Sequence, residues 1–170
     1  WSGFNDLASK FPDIAKEWNY EKNNKLKPDK VTSHSNKKVW WKCDKGHSYS
    51  MSFDSRNKGG GCPICAGQKL LEGFNDLKTR YPEIAKEWCY KKNDNLMPQQ
   101  FMPGSNIKVW WTCKNNHTYK ATIASRTIVQ SGCPYCSGRK AISGVNDLCT
   151  KYPWIKERWD FEKNIQINPK

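Results

Sequence analysis

Cys43-x3-His47 and Cys62-Pro63-Ile64-Cys65 are two closely spaced pairs of metal-ligand residues, fourteen residues apart. The arrangement returns as Cys113-x3-His117 and Cys133-Pro134-Tyr135-Cys136, with fifteen residues between the pairs. Zinc prefers four tetrahedral ligands of sulfur and imidazole nitrogen, and two short-spaced pairs on separate turns supply them. A disulfide framework is the alternative for eight cysteines. It does not explain why His47 and His117 recur at one spacing from a cysteine. A redox Cys-x-x-Cys would sit in a thioredoxin-like alternation of strands and helices, and the sequence has none. Iron is conceivable, but three thiolates with one imidazole point more often to zinc. Protein fills all four positions, which leaves none open for a catalytic water. The expected cofactor is therefore two structural zinc ions. Cys89 and Cys149 align with Asn19 and Ala8, outside the pattern, and read as buried or incidental thiols. His34 aligns with Gly104 and reads as a surface side chain.

The elements that hold these ligands must be small. Only 36% of the 170 residues are hydrophobic, mean hydropathy is -0.91, and nine tryptophans are spread along the chain. Such a composition suits several modules, each stapled in place of a large core. The chain repeats itself. Gly3-Phe4-Asn5-Asp6-Leu7 returns as Gly73-Phe74-Asn75-Asp76-Leu77 and as Gly144-Val145-Asn146-Asp147-Leu148. Phe11-Pro12, Tyr81-Pro82 and Tyr152-Pro153 follow, then Ile14-Ala15-Lys16-Glu17-Trp18 and its counterparts ending at Trp88 and Trp159. Lys38-Val39-Trp40-Trp41 recurs as Lys108-Val109-Trp110-Trp111, and one extra residue lies between Arg126 and Cys133. The repeat predicts modules over 1–70 and 71–141 and an incomplete third copy over 142–170, whose zinc half is missing. The parent chain is expected to continue at one or both ends.

Within each copy, Asn5 and Asn75 are expected to cap a short helix, and Pro12 and Pro82 to occupy the first turn of a second. Leu7, Phe11, Ile14, Ala15 and Trp18 fall near helical spacing and predict one apolar face. Asn23, Leu26 and Pro28, echoed by Asn93, Leu96 and Pro98, read as a polar connector. Val39-Trp40-Trp41 and the alternating stretch from His47 to Phe53 predict a hairpin whose tight turn holds Cys43 and His47. The fold class expected is a small metal-stabilised α+β array of tandem repeats, each a short helical pair followed by a β-hairpin zinc module.

The order Asn-Asp-Leu, aromatic-Pro, Ile-Ala-Lys-Glu-Trp, Lys-Val-Trp-Trp-x-Cys, Gly/Asn-His, Arg and Cys-Pro-x-Cys resembles a family of tandem zinc-ribbon or treble-clef repeats. That family occurs chiefly in bacterial and phage-type proteins, and some members are joined to endonuclease domains. The resemblance covers nearly the whole chain, and it implies a zinc-stapled fold and a DNA-binding accessory role. Asn116 stands where the first copy has Gly46, and asparagine tolerates the left-handed backbone a knuckle needs.

A formal net charge of +13 gives a field that attracts polyanions. Candidate nucleic-acid contacts are Asn36, Lys37, Lys38, Arg56 and Lys69 in copy one, and Asn106, Lys108, Arg126, Arg139 and Lys140 in copy two. Lysine and arginine neutralise phosphates, and asparagine can donate to them or to base edges. Arg56 and Arg126 have an equal claim as ties between the knuckle and nearby carbonyls. Alternation puts one tryptophan of each pair on the core face; the other packs or stacks on a base. Lys16-Glu17 and Lys86-Glu87 read as solvated helix faces. Both repeated histidines are committed to zinc, and neither a carboxylate pair nor a phosphate-cradling loop recurs, so catalysis is not expected. Gly59-Gly60-Gly61 reads as a flexible turn. No apolar run spans a membrane and no signal peptide is visible, so an intracellular location is expected. The expected function is a nucleic-acid-binding array, double-stranded DNA foremost. A protein-interaction scaffold using exposed tryptophans is the rival, and a single-strand binder the third option.

Overall fold

The four-residue helices that open each repeat are too short to persist alone, so capping and a shared core must hold them. The protein is described here by a computed structural model covering residues 3–32, 35–164 and 166; the reading of His34 lies outside the described residues. It divides into two units, Trp1–Leu71 and Glu72–Lys170, and the start of the third copy belongs to the second unit.

In the first unit, α1 (Leu7–Lys10), α2 (Pro12–Ala15) and α3 (Tyr20–Asn23) precede a 3-10 turn at Pro28–Lys30, strands β1 (Lys38–Lys42) and β2 (Ser48–Ser52), and α4 (Phe53–Asn57). The second unit has α5 (Leu77–Arg80), α6 (Pro82–Lys86), a 3-10 turn at Pro98–Gln100, β3 (Lys108–Thr112), β4 (Thr118–Thr122) and α7 (Ile123–Thr127), with a turn over 90–93 in place of α3, then adds α8 (Leu148–Lys151) and α9 (Ile155–Arg158). The prolines stand at the first positions of α2 and α6, as expected. The caps differ from expectation. Asp6, not Asn5, accepts the Ser9 amide at 2.9 Å, and its other oxygen accepts the Gly3 amide at 2.6 Å. Asp76 and Asp147 do the same for Thr79 and Thr150. Only a side chain next to the first helical residue can reach both the helix N-terminus and the preceding glycine loop.

Each hairpin is antiparallel, pairing Trp40 with Ser50 and Trp110 with Lys120. Phe53 and Ile123 start the closing helices rather than ending the strands, because Ser52 and Thr122 cap those helices. The outer edge of β1 is covered. Asn19 donates its amide to Trp40 O at 3.0 Å, and Lys42 donates to Glu17 O at 2.6 Å. The Asn23 side chain accepts from Trp40 N at 2.8 Å and donates to Trp40 O at 2.7 Å. Asn93 makes the same two bonds to Trp110 and is buried. These asparagines are therefore edge clamps rather than parts of a polar connector. They satisfy backbone groups that an open strand edge would leave bare.

The core of unit one gathers Leu7, Trp18, Val39, Trp41, Tyr49 and Phe53, all buried. Leu77, Trp88, Val109, Trp111, Tyr119 and Ile123 form its counterpart. Leu7 and Trp18 of the predicted apolar face are buried, whereas Phe11, Ile14 and Ala15 are half-buried around them. Trp18 and Trp41 meet edge to face with ring centres 5.6 Å apart, and Trp88 and Trp111 at 5.5 Å. Every one of these indole N–H groups is satisfied: Trp18 by Leu26 O, Trp41 by Met51 O, and their counterparts by Leu96 O and Ala121 O. Gly60 is a packing requirement, not merely a flexible turn, since a Cβ there would lie 2.6 Å from Ser55 O.

Candidate metal centre

The zinc turn of the hairpin closes by two backbone bonds, Cys43 N to His47 O at 3.1 Å and Gly46 N to Cys43 O at 2.7 Å. Gly46 takes φ +80, and Asn116 takes φ +61 at the matching position, so the left-handed knuckle survives the change of residue as expected. The second turn closes by Ala66 N to Cys62 O and Gly67 N to Ile64 O, with Gly67 and its counterpart Gly138 also left-handed.

These turns bring Cys43, His47, Cys62 and Cys65 into one cluster, and Cys113, His117, Cys133 and Cys136 into another, with all ligand atoms within 4.8 Å of one another. Cys43 and Cys65 sulfurs are 3.8 Å apart, as are those of Cys113 and Cys136. A tetrahedron with metal–sulfur bonds of about 2.3 Å has sulfur–sulfur edges of about 3.8 Å. His47 turns Nδ1 toward three sulfurs, at 3.5 Å from Cys43, 3.2 Å from Cys65 and 3.8 Å from Cys62. The donor set and its edges fit zinc, and all four corners are protein. Cys89 and Cys149 stand outside both clusters, half-buried and buried respectively.

Burial works against a charge on Cys43, but the His47 and Lys45 amides aimed at the sulfur outweigh it and hold the thiol below its ordinary range. Cys113 is lowered in the same way by the Asn115 and His117 amides. Partial desolvation and hydrogen bonding with Cys43 and Cys62 push Cys65 up to about 11. Desolvation also raises Cys136, although the Asn115 side-chain amide, 3.3 Å from that sulfur, favours the thiolate. Asn115 is an outer-shell partner of the ligand set.

The first arginine candidates are already engaged. Arg56 donates to both oxygens of Glu17, at 2.6 and 3.2 Å, and Tyr49 donates to the same carboxylate at 3.2 Å. Arg126 binds Glu87 and also donates to Ser131 O at 2.6 Å. Its side chain is only 8% exposed. Arg56 and Arg126 thus join the helical front to the hairpin; Glu17 and Glu87 are half-buried partners in these links, whereas Lys16 and Lys86 are solvated as expected. Each pair lies 39 residues apart in sequence, and that matched recurrence is the signal that reveals it. Among the other candidates, Asn36, Lys37, Lys38, Lys69, Asn106, Lys108, Arg139 and Lys140 are exposed. Arg139 folds back onto Ser137 Oγ and Gly132 O, and Lys140 lies 5.9 Å from the Tyr135 ring centre. Lys38 begins β1 and Cys43 follows its end, so the Asn36–Lys38 loop is separated from the zinc turn by a strand of about 13 Å.

Sequence reasoning also missed Asn146. Its Oδ1 accepts the Ile142 amide, and its Nδ2 donates to Lys140 O at 3.2 Å and Tyr135 O at 3.4 Å. It fastens the third copy to the second knuckle. Capping requires only the aspartate, so the unvarying asparagine before it carried the clue.

The family described as a probable treble clef zinc finger domain matches residues 14–68 and 84–139, more than half of the chain, and each match contains one Cys3His cluster. The chain belongs to that family. Its two modules are tandem treble-clef zinc fingers, each with a site for one structural zinc ion. No curated protein matches the chain.

Proposed function

We propose that the tandem zinc fingers bind nucleic acid, with double-stranded DNA the foremost target, as a non-catalytic accessory region. The observation that carries this reading is the placement of the cations. Lys38 and Lys108, which open β1 and β3 at equivalent positions, project into solvent without an ion-pair partner among the described residues, in a chain of net charge +13. Cations free of internal partners can replace the counterions of a phosphate backbone. Arg56 and Arg126 are excluded from that interface because their guanidinium groups serve the fold.

The rival, a protein-interaction scaffold, draws support from the third copy. Trp154 is 57% and Phe161 61% exposed, and Leu148 is 38% exposed where Leu7 and Leu77 are fully buried. Rising salt separates the readings, since aromatic docking does not depend on released counterions. Fluorescence anisotropy of the zinc-loaded chain with a labelled duplex should show binding that weakens steeply as salt rises and disappears on chelation of zinc. Absence of binding at low salt would overturn the nucleic-acid reading and favour the scaffold.

A further inference from the structure

The two faces of each hairpin differ in chemistry. Val39, Trp41 and Tyr49 turn inward, so alternation turns Lys38, Trp40, Lys42, Ser48, Ser50 and Ser52 to the other side. In copy two that side carries Lys108, Trp110, Thr112, Thr118, Lys120 and Thr122. The strands present no acidic side chain there. A half-buried tryptophan occupies the middle of each face. From α3, Lys22 Nζ lies 4.4 Å from the centre of the Trp40 ring; Lys92 lies 4.5 Å, and Lys120 5.8 Å, from that of Trp110.

The third cation changes place between copies. Copy one has Lys42 where copy two has Thr112, and Ser50 where copy two has Lys120. Lys22, Lys38 and Lys42 surround Trp40, and Lys92, Lys108 and Lys120 surround Trp110, so the charge of the face persists while its positions shift. None of the six makes an ion pair among the described residues, whereas Lys16, Lys58 and Lys86 each pair with a nearby carboxylate. Scattered solubilising charge has no reason to keep this distribution.

We propose that these outer hairpin faces, centred on Trp40 and Trp110, are where the protein holds the phosphodiester backbone of duplex DNA. The inference rests on the nucleic-acid reading above and adds the location: the strand faces, rather than the loops around zinc. The lysines neutralise phosphates, and the exposed Ser50 hydroxyl of copy one donates to a phosphate oxygen. Each tryptophan fixes a lysine ammonium over its ring. Because that ring face carries a cation, it serves to position charge rather than to stack on an unpaired base.

The test compares two variants that lose equal charge in the full, zinc-loaded chain. One is K38Q/K42Q/K108Q/K120Q on the strand faces; the other is K37Q/K69Q/R139Q/K140Q on the loops. All eight positions are exposed, and zinc content and circular dichroism check that both variants fold. Anisotropy with a labelled duplex is read across a salt series. The strand variant should lower the slope of log affinity against log salt by about 4, one for each phosphate no longer neutralised, while the loop variant keeps a slope near wild type. Equal reductions in both variants, or a larger one in the loop variant, would overturn the location and leave nucleic-acid binding standing. Tighter binding of the wild type to single strands than to duplex would overturn the assigned occupant. Failure of the wild type to bind any nucleic acid would remove both readings.

Discussion

At the residue scale, the same side-chain types serve different ends according to their partners. Arg56 and Arg126 could have been phosphate ligands; instead each forms a charge-assisted link with a glutamate and a tyrosine from other elements. Arg56 is held even further above its ordinary range, first by its hydrogen bonds to Glu17. Burial raises the Tyr49 and Tyr119 phenols well above their usual value, which the Glu17 charge reinforces at Tyr49. Replacing Arg126 by Met should cost about 1.5–3 kcal/mol of stability, the range for hydrogen bonds to charged groups. Denaturant unfolding at saturating zinc measures it, and the salt slope of DNA binding should stay unchanged. Asp6, Asp76 and Asp147 are held below the ordinary carboxylate range. Hydrogen bonds from Ser9 and Thr150 lead at Asp6 and Asp147; at Asp76 burial is the largest influence and opposes, but the Thr79 bonds and others outweigh it. A lowered folded value means these caps contribute fully above the unfolded value of about 3.9 and lose their contribution as pH falls through the folded value. Zinc thiolates take up protons as pH falls. Acid titration followed by circular dichroism and zinc release should therefore show metal loss and unfolding together, at a pH above the range in which the caps would lose their contribution.

At the element scale, short helices and a two-stranded hairpin are each marginal, and specific clamps make them one unit. Asn93 serves both backbone groups of Trp110 from a buried position. Asn93→Ala would leave a buried donor unpaired and a buried acceptor with one partner fewer, a loss of about 1–3 kcal/mol. Chemical denaturation should show a shifted midpoint, with zinc stoichiometry unchanged. An exposed connector asparagine would produce almost no shift, so this variant discriminates between the two roles. Asp76→Ala should cost about 0.5–2 kcal/mol, as N-caps do, and a thermal melt with zinc bound will read it.

At the scale of the whole molecule, each unit has its own core and its own ligand set, so metal binding and folding should be separable. Native preparations should contain two zinc ions per chain by elemental analysis. Cys113→Ser should reduce this to one, and near-ultraviolet circular dichroism should retain the tryptophan signal of the first unit. Loss of both metals from that variant would contradict independent modules. Structural zinc supplies much of the folding free energy of small domains, so removal of both ions should unfold both hairpins. No helix among the described residues is long and apolar enough to cross a membrane.

The sequence by itself determined the repeat, the eight ligands, the hairpin and the left-handed knuckle at Asn116, because these depend on local spacing, alternation and backbone preference. The tertiary structure alone decided the partners of polar side chains. Arg56 meets Glu17 across 39 residues, Asn23 reaches Trp40 across 17, and Asn146 ties a new repeat to a finished knuckle. Each bond depends on how separate elements pack, and a linear pattern records the residue type without its direction. Placement of Asp6 rather than Asn5 as the cap followed from the same cause: the loop geometry that carries one side chain to the helix end points its neighbour elsewhere. The charge of the hairpin faces was visible as scattered lysines, but only the strand pairing gathered them onto one side.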